Sequence, residues 1–221
     1  NKNELDLGLK GKVVLITGAS RGIGEMTAKL FALNCSKVAV NYYRGKDDAE
    51  RIISEITEYG GEAIAVCADV SDRSQTDRMM STVFDSFGAI HIMVNNAVRD
   101  ARSMPFMELT WNDIQKDIDV TVKGAFNCCQ GVLPSMKKNG GGRIINISTI
   151  FADYPPPDQL KYVVSKSGLV GLTRSLAVEF AASNILVNMV VPSIVETDLT
   201  KHVPKMVLKG MENDMPMKRL A

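Results

Sequence analysis

The sequence predicts an α/β protein: a parallel sheet with helices on both faces, doubly wound into three αβα layers, in a single domain over residues 1–221. Three observations predict it. Short, nearly all-apolar runs recur along the chain, as expected of strands buried on both faces of a parallel sheet. Segments with helical apolar spacing lie between them, so strand and helix alternate six times. The length of 221 residues suits one large α/β unit that buries its own core without disulfides or metals.

The strand runs are KVVLIT (12–17), KVAVNY (37–42), EAIAVCA (62–68), AIHIMVN (89–95), GRIINIS (142–148) and NILVNMVV (184–191). The first helix follows at IGEMTAKLFAL (23–33). The second, DDAERIISEITEYGG (47–61), is amphipathic and stops at a glycine pair. SDRSQTDRMMSTVFDSFG (71–88) opens on an N-cap candidate and also ends in glycine. Residues 111–138 read as one long helix, and 159–183 as another. PPP (155–157) is a rigid loop. Repeats, low-complexity tracts and interior linkers are absent from the pattern.

Composition narrows the function. Hydrophobic content is 45%, charged content 23% and net charge +1, so neither nucleic acid nor an anionic membrane is expected as partner. Lys205, Lys209, Lys218 and Arg219 read as a solvated face. The N-terminus NKNELDLGLKGK has no apolar h-region, and no apolar run reaches membrane-spanning length. Cys35, Cys67, Cys128 and Cys129 include no CxxC and read as reduced thiols, which suits a cytoplasmic setting. His91 and His202 are isolated and predict no metal site.

The first strand runs into TGASRGIG (17–24), with glycines at 18, 22 and 24 and a helix immediately after. Such a turn lets the backbone approach a pyrophosphate, and the helix N-terminus offers free N–H groups. Its place at the start of a βαβ unit favours a dinucleotide over a purely structural turn. The second strand ends NYYRGK (41–46), where an NAD-binding chain would carry a carboxylate. Arg44 lies there and Arg21 within the glycine turn. Two guanidinium groups suit a 2′-phosphate, so NADP(H) is expected over NAD(H).

KYVVSKSG (161–168) places Tyr162 and Lys166 four apart, one above the other on a helix. A cation beside a tyrosine favours its phenolate, so the pair can transfer a proton. Tyrosine and lysine at this spacing also occur on solvated helix faces.

With TGASRGIG (17–24), ADV (68–70), NNA (95–97) and YVVSK (162–166) in that order, nearly the whole chain resembles the short-chain dehydrogenase/reductase family. It is most similar to the 3-oxoacyl-(acyl carrier protein) reductase branch. The resemblance implies a Rossmann-type fold and a cofactor cradle of Gly18, Ala19, Ser20, Arg21, Gly22, Ile23 and Gly24. It places Asp69 and Val70 at the adenine, Asn95 and Ala97 along the adenosine ribose side, and Val195 and Thr197 at the carboxamide. Asn95 and Val70 also have structural readings, as a strand-end tie and a core residue. Tyr162 is the implied proton donor; Lys166 holds the nicotinamide ribose and lowers the tyrosine pKa. The family's serine falls at Thr149, with Ser148 as the alternative. The family's helix asparagine, which supports a water-linked proton path, falls at Thr121.

Other departures are Val98 and Ser193, where the family has glycines, and a C-terminus at MPMKRLA (215–221) without the family's last strand. The Met-rich segment 206–217 is expected either over the substrate cleft or filling core gaps. The activity implied is NADPH-dependent reduction of a carbonyl to a secondary alcohol. A 3-oxoacyl thioester, free or on acyl carrier protein, is the expected substrate class. A related NAD(P)-dependent alcohol dehydrogenase or a weakly catalytic nucleotide-binding subunit is the alternative. A homo-oligomer, dimer or tetramer, is the expected assembly.

Overall fold

The computed structural model describes residues 7–201 and 203–220. His202 and residues 1–6, which begin the N-terminal segment discussed above, lie outside the described residues. Six parallel strands form one sheet in the order β3-β2-β1-β4-β5-β6: β1 Val13–Ile16, β2 Lys37–Tyr42, β3 Glu62–Cys67, β4 Ile92–Asn95, β5 Gly142–Ile147 and β6 Ile185–Val190. Helices α1 (Gly22–Leu33), α2 (Lys46–Glu58), α3 (Arg73–Phe87), α4 (Trp111–Ile118), α5 (Gly124–Lys138), α6 (Leu160–Phe180) and α7 (Lys205–Asp214) complete the chain.

Alternation along each strand fills two separate cores. Val14, Ile16, Val38 and Val40 face one layer, where Ala28 and Ala32 of α1 meet Ala49, Ile52 and Ile56 of α2. Leu15, Met93 and Ile144 face the other, against Met79, Met80 and Val83 of α3 and Cys128, Cys129, Val132 and Met136 of α5. Burial raises both thiols of the cysteine pair, that of Cys129 to about 12, so they behave as small apolar residues. His91 is structural too: its Nδ1 accepts the Val13 N–H at 2.9 Å. Local signals agree with this packing. Asp72 caps α3 by accepting from the N–H groups of Ser74 and Gln75, and Thr110 and Asp113 form a capping box on α4.

The expected single helix over 111–138 is corrected. A five-residue π-helical turn, Asp119–Lys123, separates α4 from α5. Such a turn absorbs one extra residue within a helix and frequently marks a functional site. Here it holds Thr121. The sheet order reverses between β1 and β4, so a crevice opens where the two neighbouring connections diverge.

Candidate active site

A cavity of about 680 Å³ occupies this crevice, at the carboxyl ends of β1, β4, β5 and β6. On the cofactor side, β1 passes into the glycine turn. Gly18 has φ +60, and a Cβ there would lie 2.9 Å from Ala97 Cα, so β1 and β4 approach too closely for a side chain. A Cβ on Gly24 would meet the Asn96 amide at 2.7 Å. Side chains lock the turn in place. Thr17 Oγ1 accepts from the N–H groups of Asn96 and Ala97, and Asn96 Nδ2 donates to the carbonyls of Thr17 and Gly18. Asn41 Oδ1 accepts from Gly18 N–H, while its Nδ2 donates to Val66 and Ala68.

Within the NNA motif, Asn95 takes its structural reading as a strand-end tie. Asn95 points into the core, donating to Asn146 Oδ1 at 2.8 Å, and Asn96 lines the cavity. Strand alternation carries the signal: the two asparagines face opposite sides. Asp69 turns onto Ser71, and Val70 is core, with its carbonyl accepting from Asn127 and Thr76. Ala19 and Ser20 are buried inside the turn. Arg21 and Arg44 are exposed at the cradle's outer end, Arg44 against the Tyr43 ring. Ile23, Val195 and Thr197 line the cavity, with Thr197 beside Gly22. The tight turn, the free N-terminus of the twelve-residue α1 and the exposed arginines fit a dinucleotide phosphate chain.

On the chemical side, α6 presents Tyr162 and Lys166 to the cavity, both buried. Lys166 Nζ lies 5.8 Å from the Tyr162 ring centroid and donates to the Ile147 carbonyl at 2.6 Å. Thr149 lines the cavity with Tyr162, and its Oγ1 accepts from the Phe151 N–H at 3.3 Å. Ser148 also faces the cavity, and its Oγ is buried without a partner among the described residues. Thr121 Oγ1, in the π turn, is likewise buried and unpartnered. The net shift of the Tyr162 phenol is upward. Burial raises the phenol, Thr149 partly offsets this, and the Asp117 carboxylate raises it further. At neutral pH Tyr162 is a neutral phenol.

The remaining wall is apolar. Phe151, Pro156, Leu199, Val203, Leu208 and Met211 line it. The Met-rich segment thus forms α7 over the cleft, and no residue of α7 is buried, so the core-filling alternative does not hold. Val98 and Ser193 both border the cavity. Among the described residues, no helix is long and apolar enough to cross a membrane.

Lys166 generates a stability prediction. Full burial pulls its pKa from 10.5 down to about 8. Between these values the unfolded chain binds more protons than the native one, so this group makes native stability rise with pH across that window. Below about pH 8 its full cost is present. Lys166→Met is expected to raise stability by about 1–3 kcal/mol near neutral pH, with the advantage shrinking towards pH 10. Paired urea titrations at both pH values check it; an advantage that does not change with pH would count against the buried-cation account.

Comparison with known proteins agrees with this geometry. A family profile described as short chain dehydrogenase matches residues 12–207. The chain is 38% identical over 210 residues to the 3-oxoacyl-[acyl-carrier-protein] reductase FabG of Staphylococcus epidermidis, covering 94% of this chain and 85% of the relative. It is 38% identical over 195 residues to a Synechocystis 3-oxoacyl-[acyl-carrier-protein] reductase, covering 88% and 78%. A solved Sinorhizobium meliloti structure, described as a candidate short-chain alcohol dehydrogenase, superposes with a TM-score of 0.90 at 30% identity, covering 96% of this chain and 84% of that one. The chain belongs to the short-chain dehydrogenase family, as an oxidoreductase acting between CH–OH and C=O groups.

Proposed function

We propose that the chain is an NADPH-dependent reductase that converts the keto group of a 3-oxoacyl thioester to a secondary alcohol. The observation that carries this reading is the buried Tyr162 phenol, sharing an apolar cavity with the Thr149 hydroxyl and Lys166 beside the glycine turn. NADPH bound in the cradle supplies the hydride. Tyr162 and Thr149 both direct hydroxyls towards a carbonyl oxygen, where negative charge grows as the carbon is reduced. Tyr162 then gives its proton to that oxygen. At neutral pH the phenol carries the proton that this step needs. Preorganised donors at the developing charge contribute a comparable factor.

The apolar wall formed with α7 takes an acyl chain. Arg21 and Arg44 take the 2′-phosphate, and the cradle end has no carboxylate between residues 41 and 46 to repel it. The named activity of the staphylococcal and Synechocystis relatives supports delivery on acyl carrier protein. Exposed Phe106, Met107 and Trp111 beside α4 support a homo-oligomer of two or four copies.

Tyr162→Phe is expected to lower kcat by about 10²- to 10⁴-fold on a short 3-oxoacyl thioester while leaving NADPH binding nearly intact. Nicotinamide absorbance and fluorescence titration measure the two; retention of a tenth of the activity would remove Tyr162 from the chemistry. The double variant Arg21→Ala, Arg44→Ala is expected to erase the preference for NADPH, so that NADPH and NADH dissociation constants converge. An unchanged ratio would place the 2′-phosphate elsewhere. Asn96→Ala frees the Thr17 and Gly18 carbonyls and is expected to weaken dinucleotide binding about tenfold, corresponding to one lost buried hydrogen-bonding group. Isothermal titration reads that loss directly, and wild-type affinity would show that the turn holds without its amide.

A further inference from the structure

The strap that follows β4, residues 99–104, has no regular structure, yet the helices behind it hold it at successive residues. Arg99 Nη1 donates to Asp117 Oδ1 of α4 at 3.3 Å. Asp100 Oδ1 lies 2.6 Å from Lys161 Nζ of α6 and also accepts from the Arg102 N–H at 3.2 Å. Gln159 Nε2 donates to the Ala101 carbonyl at 3.0 Å and to Ser103 Oγ at 2.9 Å. The Met104 N–H donates to the Asp158 carbonyl at 2.7 Å. Ala101, Arg102 and Ser103 line the cavity, whereas Asp100 and Lys161 do not. The residues just before Tyr162 therefore fasten one wall of the cavity into which its phenol points.

The fastening residues are poor choices for the helix itself. Gln159 holds the N-cap position of α6, where a side chain ordinarily accepts from the helix's own first N–H groups, and it makes no such bond. Its Oε1 is buried without a partner among the described residues. Lys161 puts a cation, only 4% exposed, into the first turn, at the positive end of the helix dipole. Two carboxylates compensate it, Asp100 and, at 3.8 Å, Asp117. Local rules broken without a gain to the element that breaks them point to a role outside it. The strap is that role, and its place is close to the chemistry. The Val163 N–H donates to the Gln159 carbonyl at 2.9 Å, so Gln159 is already in helical register, one turn before Tyr162. One turn is about 5 Å along the axis.

We propose that Gln159 and Lys161 are positioning residues that fix the strap 99–104 as a preformed wall against which the acyl thioester is aligned. The proposal rests on the reading of this cavity as the thioester site. A wall fixed in advance does not have to be ordered by the substrate, so the clamp acts on affinity. The hydride and proton steps use Tyr162, Thr149 and Lys166, and the strap supplies none of these groups. Loosening it therefore raises KM and leaves kcat in place. A small ketone that fills only the space around the phenol does not sense it.

Asp100→Ala and Lys161→Met each remove one half of the ion pair without altering a side chain that lines the cavity. Each is expected to raise KM for a short 3-oxoacyl thioester about three- to tenfold. The kcat, the KM for a small ketone and the NADPH dissociation constant are expected to stay within about twofold of the wild type. The double variant is expected to be no worse than the worse single one, because both act through one contact. Lys161→Arg is expected to restore KM. The two single variants lie on different elements, so if one does not fold the other still reports. Hydrogen exchange at the amides of 99–104 in the free full-length protein reads the strap without turnover, and it is expected to quicken in both variants. Unchanged exchange, unchanged KM, additive effects in the double variant, or a loss of kcat shared by both substrates would overturn the proposal. A wild-type protein that reduces no thioester would instead refute the substrate reading, and exchange would still decide whether the strap is clamped.

Discussion

Lys166 is a cation-bearing side chain with almost no access to water, and much of the site can be understood from what it takes to keep it there. Its one hydrogen bond among the described residues goes to the Ile147 carbonyl, at the last residue of β5. That bond ties α6 to the end of the sheet at the level where the cavity opens. Burial holds the ammonium near the lower edge of the lysine range, so it is poised to bind hydroxyls or to pass a proton. The same low-dielectric surroundings raise the Tyr162 phenol. The two shifts have one cause and opposite chemical consequences: a tyrosine that keeps its proton until it is needed, beside a lysine that holds its own more loosely than a surface lysine does.

The cofactor side rests on a different device, backbone proximity. Gly18 and Ala97 come as close as two chains can, and the contact is sealed by Thr17, Asn41 and Asn96 rather than by apolar packing. Buried amides and hydroxyls are directional, so they fix the turn more sharply than aliphatic groups would. Every donor and acceptor used in this way is satisfied by a strand-end group, which keeps the polar cost small. The two devices meet at β4 and β5, where Asn95 and Asn146 bond across the sheet and Asn146 continues to Thr173 on α6. One polar thread therefore runs from the strand that carries NNA to the helix that carries the tyrosine.

Much of this was legible before any coordinates. The six strands and the helices between them follow from apolar runs and helical periods, and their ends agree to within a few residues. The glycine turn and the Tyr162–Lys166 pair are local patterns, which is why they could be read. What escaped was non-local. Asn41 earns its role only because β2 and β3 end beside the turn, and Asn96 only because it lies one residue past the strand. The π turn at 119–123 escaped because its residues still satisfy a helical period; only the hydrogen-bond register differs. Lys161 and Asp117 escaped because they are far apart in sequence and each looks like an ordinary surface residue of a helix. The upward pKa direction of Tyr162 is not legible for the same kind of reason: it comes chiefly from burial, which a local pattern does not show.

The departures around the chemistry are best weighed by what each position now contacts. Thr149 keeps a hydroxyl on the cavity wall, where it also accepts from the Phe151 N–H. Thr121 has a hydroxyl as well, buried inside the π turn and without a partner among the described residues. Val98 and Ser193 add bulk to the cavity wall, and Ser193 spends its hydroxyl on Met215. None of these changes removes the groups that bind or protonate a carbonyl oxygen. A chain kept only to bind a dinucleotide needs the turn, the asparagine and a lysine. It has no use for a buried phenol whose removal would relieve the burial of a polar group. A buried Tyr162 retained in the same cavity as Thr149 and Lys166 is what the proposed proton transfer requires and what binding alone does not.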